Sequence, residues 1–185
     1  MRIISGFAGG RRLVAPAGDR TRPTSDKIRG SLFNILMALT PGARVLDLFG
    51  GTGAMALEAM SRGAAHAVIV DTDRQAVEAI RRNAEAVLGG DFRAQVDIIK
   101  SDYRRAISGM KGDSFDIVFL DPPYMLKEAY GEAQRLLTER GLIGKDAVVV
   151  CERARDAQVE YAAGYEIYDT RIYGETAVDF LRREK

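Results

Sequence analysis

Five short apolar runs, at residues 44–48, 67–71, 96–100, 115–120 and 147–151, recur along this chain with helical patterns between them. They are rich in Val, Ile, Leu and Phe and do not alternate cleanly with polar residues, as expected of strands buried on both faces. Between the second and third runs, Val77, Ile80, Ala84, Val87 and Leu88 form one stripe of a helical pattern over residues 73–88. Arg74, Glu78 and Arg82 lie on its other side at i, i+4 spacing. Strand–helix alternation of this kind predicts βαβ units and a parallel sheet with helices on both faces. The end of the chain breaks the rhythm. Residues 165–173 and 176–182 are extended runs around Gly174-Glu175 and predict a closing antiparallel hairpin.

Ahead of the alternation, residues 2–7 and 11–15 read as two extended runs about an Ala8-Gly9-Gly10 turn, followed by a loop over residues 16–25. Ile28, Leu32, Ile35, Leu36 and Leu39 then fall at helical spacing over residues 26–39, with Thr24 or Ser25 as N-cap and Pro41-Gly42 as the stop. No linker interrupts the chain. The expected organisation is an N-terminal extension over residues 1–40 and one α/β domain over 41–185. At 185 residues such a chain needs no disulfide or structural metal to hold its core.

The single cysteine, Cys151, excludes an intrachain disulfide and a Cys-rich zinc site, and His66 is the only histidine. No residues have metal-ligand spacing. No segment approaches the ~20 apolar residues of a membrane span, and the N-terminus lacks the apolar stretch of a signal peptide. A cytoplasmic location is expected. The net charge of +1 conceals an asymmetry: residues 1–30 hold seven basic and two acidic side chains, and the remainder 20 basic and 24 acidic. A basic end suggests an acidic partner such as nucleic acid. It is equally compatible with a solvated arm.

Val45-Leu46-Asp47-Leu48-Phe49-Gly50-Gly51-Thr52-Gly53 joins the first apolar run to a helix. In open α/β sheets such a loop borders the ligand crevice. Asp71 follows Gly53 by 18 residues, at the end of the second run, where an acid can accept both hydroxyls of a ribose. The pattern Gly51-x-Gly53-x-x-Ala56 also fits a dinucleotide fingerprint. Two features argue against that. Asp47 at the loop mouth would repel a pyrophosphate and attract an ammonium. Asp102, in Ser101-Asp102-Tyr103, follows the third run, where it can accept from an adenine amine. Three acids at successive strand ends suit S-adenosylmethionine, which is cationic at sulfur and carries no phosphate.

The fourth run enters Asp121-Pro122-Pro123-Tyr124. Two prolines hold the backbone extended. The Asp121 carboxylate and the Pro122 carbonyl then form a pair of acceptors, suited to an exocyclic amine on a planar ring, and Tyr124 offers that ring a face to stack on. Amino methylation of a base needs this arrangement, because the amine's lone pair is delocalised and positioning does much of the work.

Asp47-x-Phe49-x-Gly51-x-Gly53 together with Asp121-Pro122-Pro123-Tyr124 resembles the class I, S-adenosylmethionine-dependent amino methyltransferases. Met1-Arg2-Ile3-Ile4-Ser5-Gly6, Gly10-Arg11-Arg12-Leu13, Arg22-Pro23-Thr24-Ser25-Asp26-Lys27-Ile28-Arg29, Leu32-Phe33-Asn34-Ile35-Leu36 and Tyr173-Gly174-Glu175-Thr176-Ala177 narrow the resemblance to the RsmD family of ribosomal RNA methyltransferases, which modify guanine N2 of small-subunit rRNA. The resemblance implies a Rossmann-like, seven-stranded sheet with its last strand antiparallel, preceded by an N-terminal hairpin. It also implies a cytoplasmic, monomeric enzyme acting on rRNA, within an assembling small-subunit particle. Asp47, Phe49, Gly50, Gly51, Gly53, Asp71, Asp102 and Tyr103 would surround S-adenosylmethionine, and Asp121, Pro122, Pro123 and Tyr124 would hold a flipped guanine. Arg11, Arg12, Arg22, Lys27 and Arg29 would contact phosphates, Arg22 and Arg29 being alternatively placed near the cofactor. Gly30, where the family often has Glu, and Gly50, where Ala is more usual, depart from the pattern. Other readings of the same residues are an amino methyltransferase for adenine N6 or a protein glutamine, a catalytically silent RNA-binding assembly factor, and, more distantly, a nicotinamide-dependent oxidoreductase.

Overall fold

The structure, a computed structural model, describes residues 1–16 and 25–184. Each predicted alternation becomes a strand and a crossover helix. The elements are α1 (Asp26–Ile35), β1 (Arg44–Asp47), α2 (Ala54–Ser61), β2 (His66–Asp71), α3 (Arg74–Leu88), β3 (Val96–Lys100), α4 (Tyr103–Gly109), β4 (Phe115–Leu120), α5 (Ala129–Glu139), β5 (Ile143–Ala154), β6 (Tyr165–Tyr173) and β7 (Thr176–Arg183), with a 3-10 turn at Phe92–Ala94. They form one seven-stranded sheet in the order β3-β2-β1-β4-β5-β7-β6. Strands β1 to β5 pair in parallel. Strand β7 runs antiparallel to both β5 and β6. This is the class I methyltransferase fold that the resemblance implies.

Alternate residues of each strand feed two cores. On one face Leu32, Phe33, Leu57 and Ile80, from α1 to α3, cover Val45, Ile69, Ile117 and Phe119. On the other, Ile107 of α4 and Leu137 of α5 cover Leu46, Val68, Val118 and Val149. Strand order reverses between β1 and β4, which opens a crevice beyond the carboxyl ends of those strands. Cys151 is fully buried, as a small apolar filler. Asp179 of β7 is buried as well. It accepts from Arg153 Nε at 2.6 Å, Tyr161 OH at 2.6 Å and Thr170 Oγ1 at 2.7 Å, a network that joins β7 to both neighbouring strands.

Three expectations need correction. Helix α1 is capped by Ser25, whose Oγ accepts from the Ile28 N–H at 3.3 Å, but it ends at Ile35 rather than Leu39. Past that point the chain turns, with the Leu36 carbonyl accepting from both the N–H and the hydroxyl of Thr40, at 2.9 and 2.8 Å. Strand β7 runs one residue past the expected 182, to Arg183, and Arg182 pairs with Glu166 at 2.7 Å.

The third correction concerns the N-terminal hairpin. Its pairing is a single antiparallel bridge, Arg2 to Arg12, flanked by Ile3 N–H to Arg11 O at 2.8 Å and Gly10 N–H to Ile3 O at 2.9 Å. Residues 4–8 form no strand because α2 takes their N–H groups. Ile4 and Ser5 donate to the Glu58 carboxylate at 2.7 and 3.1 Å, Phe7 to Ser61 O at 2.9 Å and Ala8 to Ser61 Oγ at 3.0 Å. The approach is so close that a Cβ on Gly6, at φ +84°, would lie 1.8 Å from the Ser61 carbonyl oxygen. On the return leg, Val14 exchanges hydrogen bonds with the Asn83 side chain at 2.8 and 2.9 Å. Ile3, Ala8 and Leu13 therefore belong to the same core as Leu57 and Met60.

Arg29 serves this clamp and is not at the surface. It is fully buried, donates to the Arg2 carbonyl and to Asp26 Oδ1 (3.0 Å), and lies 3.7 Å from Glu58. Its placement rules out a phosphate contact from the position it holds here. Arg22 lies outside the described residues.

Glu58 is buried, binds two main-chain N–H groups and faces both Arg29 (3.7 Å) and Arg62 (2.7 Å), so its removal strips Arg62 of this carboxylate and leaves the Ile4 and Ser5 N–H groups without their acceptor. Glu58→Ala is expected to cost about 3–5 kcal/mol in denaturant unfolding. It should also speed amide exchange at Ile4 and Ser5 before any in the sheet. A loss below about 1 kcal/mol would show that the clamp is held by packing alone.

Candidate active site

Each strand that reaches the crevice carries an acid at or just past its carboxyl end. Asp47 is the last residue of β1 and Asp71 the last of β2; Asp102 follows β3, and Asp121 follows β4. Together they line one cavity of about 480 Å³. Asp73 and Glu152 join them, giving six acids. No lysine, arginine or histidine lines the cavity among the described residues.

The acids are held differently. Asp47 is almost wholly buried; its Oδ1 takes the Phe49 N–H at 3.4 Å, and burial, with a smaller push from Asp71, raises its pKa to about 7. Asp71 is fixed by two main-chain donors, the N–H groups of Gly51 and Asp73, each at 2.8 Å. Its pKa is also raised by desolvation. A carboxylate has about four acceptor positions, so both oxygens of Asp71 keep capacity for a ligand's hydroxyls. Asp102 caps α4 through the Arg104 N–H at 2.9 Å, and Asp73 caps α3 through the Gln75 N–H at 2.8 Å. These two are therefore turn formers and cavity acids at once.

Asp121 has accessible surface, but as part of the cavity wall. The atoms packed round it raise its pKa well above the usual carboxylate range, and the charges of Glu152 and Asp47 add to the effect. Strand pairing explains the neighbours: Asp47 stands beside Phe119, and Leu120 beside Cys151. Asp121 and Glu152 each follow the last of these pairs by one residue, and both line the cavity.

Phe49 and Tyr103 form the apolar wall, with ring centroids 5.6 Å apart. The Tyr103 hydroxyl donates to Glu132 at 2.6 Å, and Arg104 grips the same carboxylate at 2.6 and 2.8 Å, so the ring cannot swing away. The glycine loop passes beneath. A Cβ on Gly50 would lie 2.4 Å from Ile69 Cγ2, so the departure from Ala is matched by the isoleucine beside it. Gly51, at φ +55°, has open space where its side chain would be.

Of the residues singled out from sequence, Asp47, Phe49, Gly50, Gly51, Asp71, Asp102, Tyr103, Asp121 and Pro123 all line the cavity. Gly53 does not; at φ +76° it is the N-cap of α2. Pro122 is buried behind the wall. Tyr124, 72 % exposed, faces a neighbouring recess that shares Pro123 and also contains Lys127 and Arg155. Arg11, Arg12 and Lys27 are exposed and stand outside the cavity. Sequence reasoning missed Met1, Leu32, Asp73, Leu126 and Glu152. Asp73 and Glu152 had a signal, each an acid just beyond an apolar run.

Comparison with known proteins identifies the family. The family model described as Conserved hypothetical protein 95 matches residues 1–182. The Bacillus subtilis protein YlbH is 33% identical over 187 residues, covering 99% of both chains. Ribosomal RNA small subunit methyltransferase D of Escherichia coli is 31% identical over 185 residues, covering all of this chain and 90% of its own. The solved structure of Escherichia coli yhhF superposes with a TM-score of 0.85 at 29% identity, covering 100% of this chain and 98% of that one. The chain belongs to this family, the RsmD family of methyltransferases.

Proposed function

We propose that this protein transfers a methyl group from S-adenosylmethionine to the exocyclic N2 amine of a guanine in small-subunit ribosomal RNA. One observation carries the reading: a cavity walled by six acids and lacking basic side chains among the described residues, with Asp121 at one end. Such a wall disfavours a pyrophosphate and suits a cationic cofactor together with a donor-rich base edge. The name of the Escherichia coli relative supports rRNA as the substrate.

The residues present fit the cofactor. The Asp71 carboxylate, oriented by the loop, would accept the ribose hydroxyls. Phe49 and Tyr103 would flank the adenine, and Asp102 would accept from its amine. Asp47 would hold the amino-acid ammonium. S-adenosylmethionine supplies an electrophilic methyl on a sulfonium sulfur. Asp121 would hold the guanine amine in line with that methyl. As positive charge develops on the nitrogen, the Asp121 carboxylate stabilises it. Asp121 is exposed on the cavity wall, and a cofactor and base seated there would exclude water and strengthen such stabilisation. The exposed Arg11, Arg12 and Lys27 would bind phosphates beside the cavity, and Tyr124 would offer its ring to a base at the mouth.

The reaction is tested with isotope-labelled S-adenosylmethionine and small-subunit rRNA that lacks the modification, digested to nucleosides after reaction. Label is expected in N2-methylguanosine; label in another nucleoside, or none, would overturn the target. Asp121→Ala should lower turnover about 10²–10³-fold with little change in S-adenosylhomocysteine affinity, while Asp121→Asn, which keeps an acceptor, retains more. Equal losses would indicate proton abstraction instead. Asp47, with its pKa raised to about 7, gains charge as pH rises through that value. Cofactor affinity measured by calorimetry should therefore increase about tenfold from pH 6 to pH 8, and Asp47→Asn should flatten that rise. Replacing Arg11 and Arg12 by Ala should lower the slope of log affinity for RNA against log salt by about 1.4–1.8. An unchanged slope would take the N-terminal segment out of the interface.

A further inference from the structure

The cavity has no basic lining among the described residues, yet Arg104 directly follows Asp102 and Tyr103, two residues that do line it. Its guanidinium is drawn to Glu132 of α5. Glu132 Oε1 accepts from Arg104 Nε at 2.8 Å, and Oε2 accepts from Arg104 Nη2 and from the Tyr103 hydroxyl, each at 2.6 Å. The third guanidinium nitrogen, Nη1, lies 3.9 Å from Asp102 Oδ2, close enough for an ion pair but beyond hydrogen-bond reach. The Arg104 fork, with the Tyr103 hydroxyl, holds the Glu132 carboxyl below its usual range, so it stays ionised and keeps its grip near neutral pH. Arg104 and Glu132 both keep contact with solvent, so the pair adds little to stability. What it fixes is position.

Asp102 is the residue that would accept from the adenine amine of the cofactor. A guanidinium freed from Glu132 has that carboxylate within reach. It would form the charge-assisted hydrogen bond that the present 3.9 Å withholds, occupy the acceptor and present donors in its place. Resting on the proposed cofactor site, we infer that Glu132 is a positioning residue that sets specificity for adenine by holding Arg104 off Asp102. Adenine offers its N6 amine and needs a free carboxylate. A base with a carbonyl at that position needs a donor. Asp102 and Arg104 together could suit either base, and Glu132 decides which of the two side chains meets it.

The test compares affinities for S-adenosylhomocysteine and S-inosylhomocysteine, in which a carbonyl replaces the amine, by calorimetry on the full chain. Both ligands are titrated into the same preparation, so a loss of folded protein cancels from the ratio. The wild-type protein should prefer the adenine ligand by about 10–100-fold, as for a hydrogen bond to a charged acceptor. In Glu132→Ala that preference should fall at least about fivefold. Removing the arginine as well, in Glu132→Ala with Arg104→Ala, should restore it, because nothing then competes for Asp102. Glu132→Gln, which keeps an acceptor without the charge, should fall between the wild-type protein and the alanine variant. A merely structural role for Glu132 would weaken both ligands alike, or would leave the double variant as poor as the single one, and either result overturns the inference. A wild-type protein that binds the two ligands equally would contradict the place given to Asp102 and this inference with it. One that binds neither would instead contradict the proposed cofactor.

Discussion

Carboxylates gathered at the ends of parallel strands repel one another, and water cannot reach the innermost of them to relieve the strain. That constraint organises the site. Asp47 is the deepest, and its pKa near 7 measures the cost of keeping a charge there. Asp121 is shifted the same way by the same cause, with Glu152 adding its own charge. Asp71 is spared part of the cost by two main-chain N–H groups aimed at it. On the proposed reading, such a wall would favour a phosphate-free cationic cofactor and an aromatic amine.

The sheet makes the arrangement rigid. Strands β1, β4 and β5 are buried on both faces, so their register cannot slip without exposing a core row. The N-terminal segment adds a second fastening. Glu58, Ser61 and Asn83 bind its main chain, Arg29 closes it from α1, and Met1 is thereby brought to the cavity wall. Binding of RNA by Arg11 and Arg12 would act on a segment already tied to the helix that starts at the glycine loop. The surface that would meet the nucleic acid and the loop that would meet the cofactor are thus parts of one packed unit.

The sheet was largely readable from sequence because buried parallel strands leave an unbroken apolar signature, and β3 and β4 match the expected residues. The strand-end acids were readable for a related reason: the fold dictates where ligands sit, so an acid there stands out. What was not readable depended on tertiary partners. Residues 4–7 have the composition of a strand, but their N–H groups are taken by a buried glutamate 53 or 54 positions away and by Ser61. Arg29 looks like a phosphate-binding cation in a basic stretch, and only packing shows it enclosed. Asp179, inside an apolar strand, gives no sequence hint of the arginine, tyrosine and threonine that satisfy it. Gly53 shows the converse, a motif glycine whose role is to turn the chain into α2.

The proposed reaction requires the donor sulfur to sit facing Asp121. A crystal structure with S-adenosylhomocysteine and guanosine measures this directly. The ribose should rest on Asp71, the amino group near Asp47, and the sulfur should face Asp121 across the cavity. The guanine N2 nitrogen should then lie about 3–3.5 Å from the place a methyl would occupy. A cofactor seated elsewhere, or a guanine bound with its amine turned away from Asp121, would contradict the account.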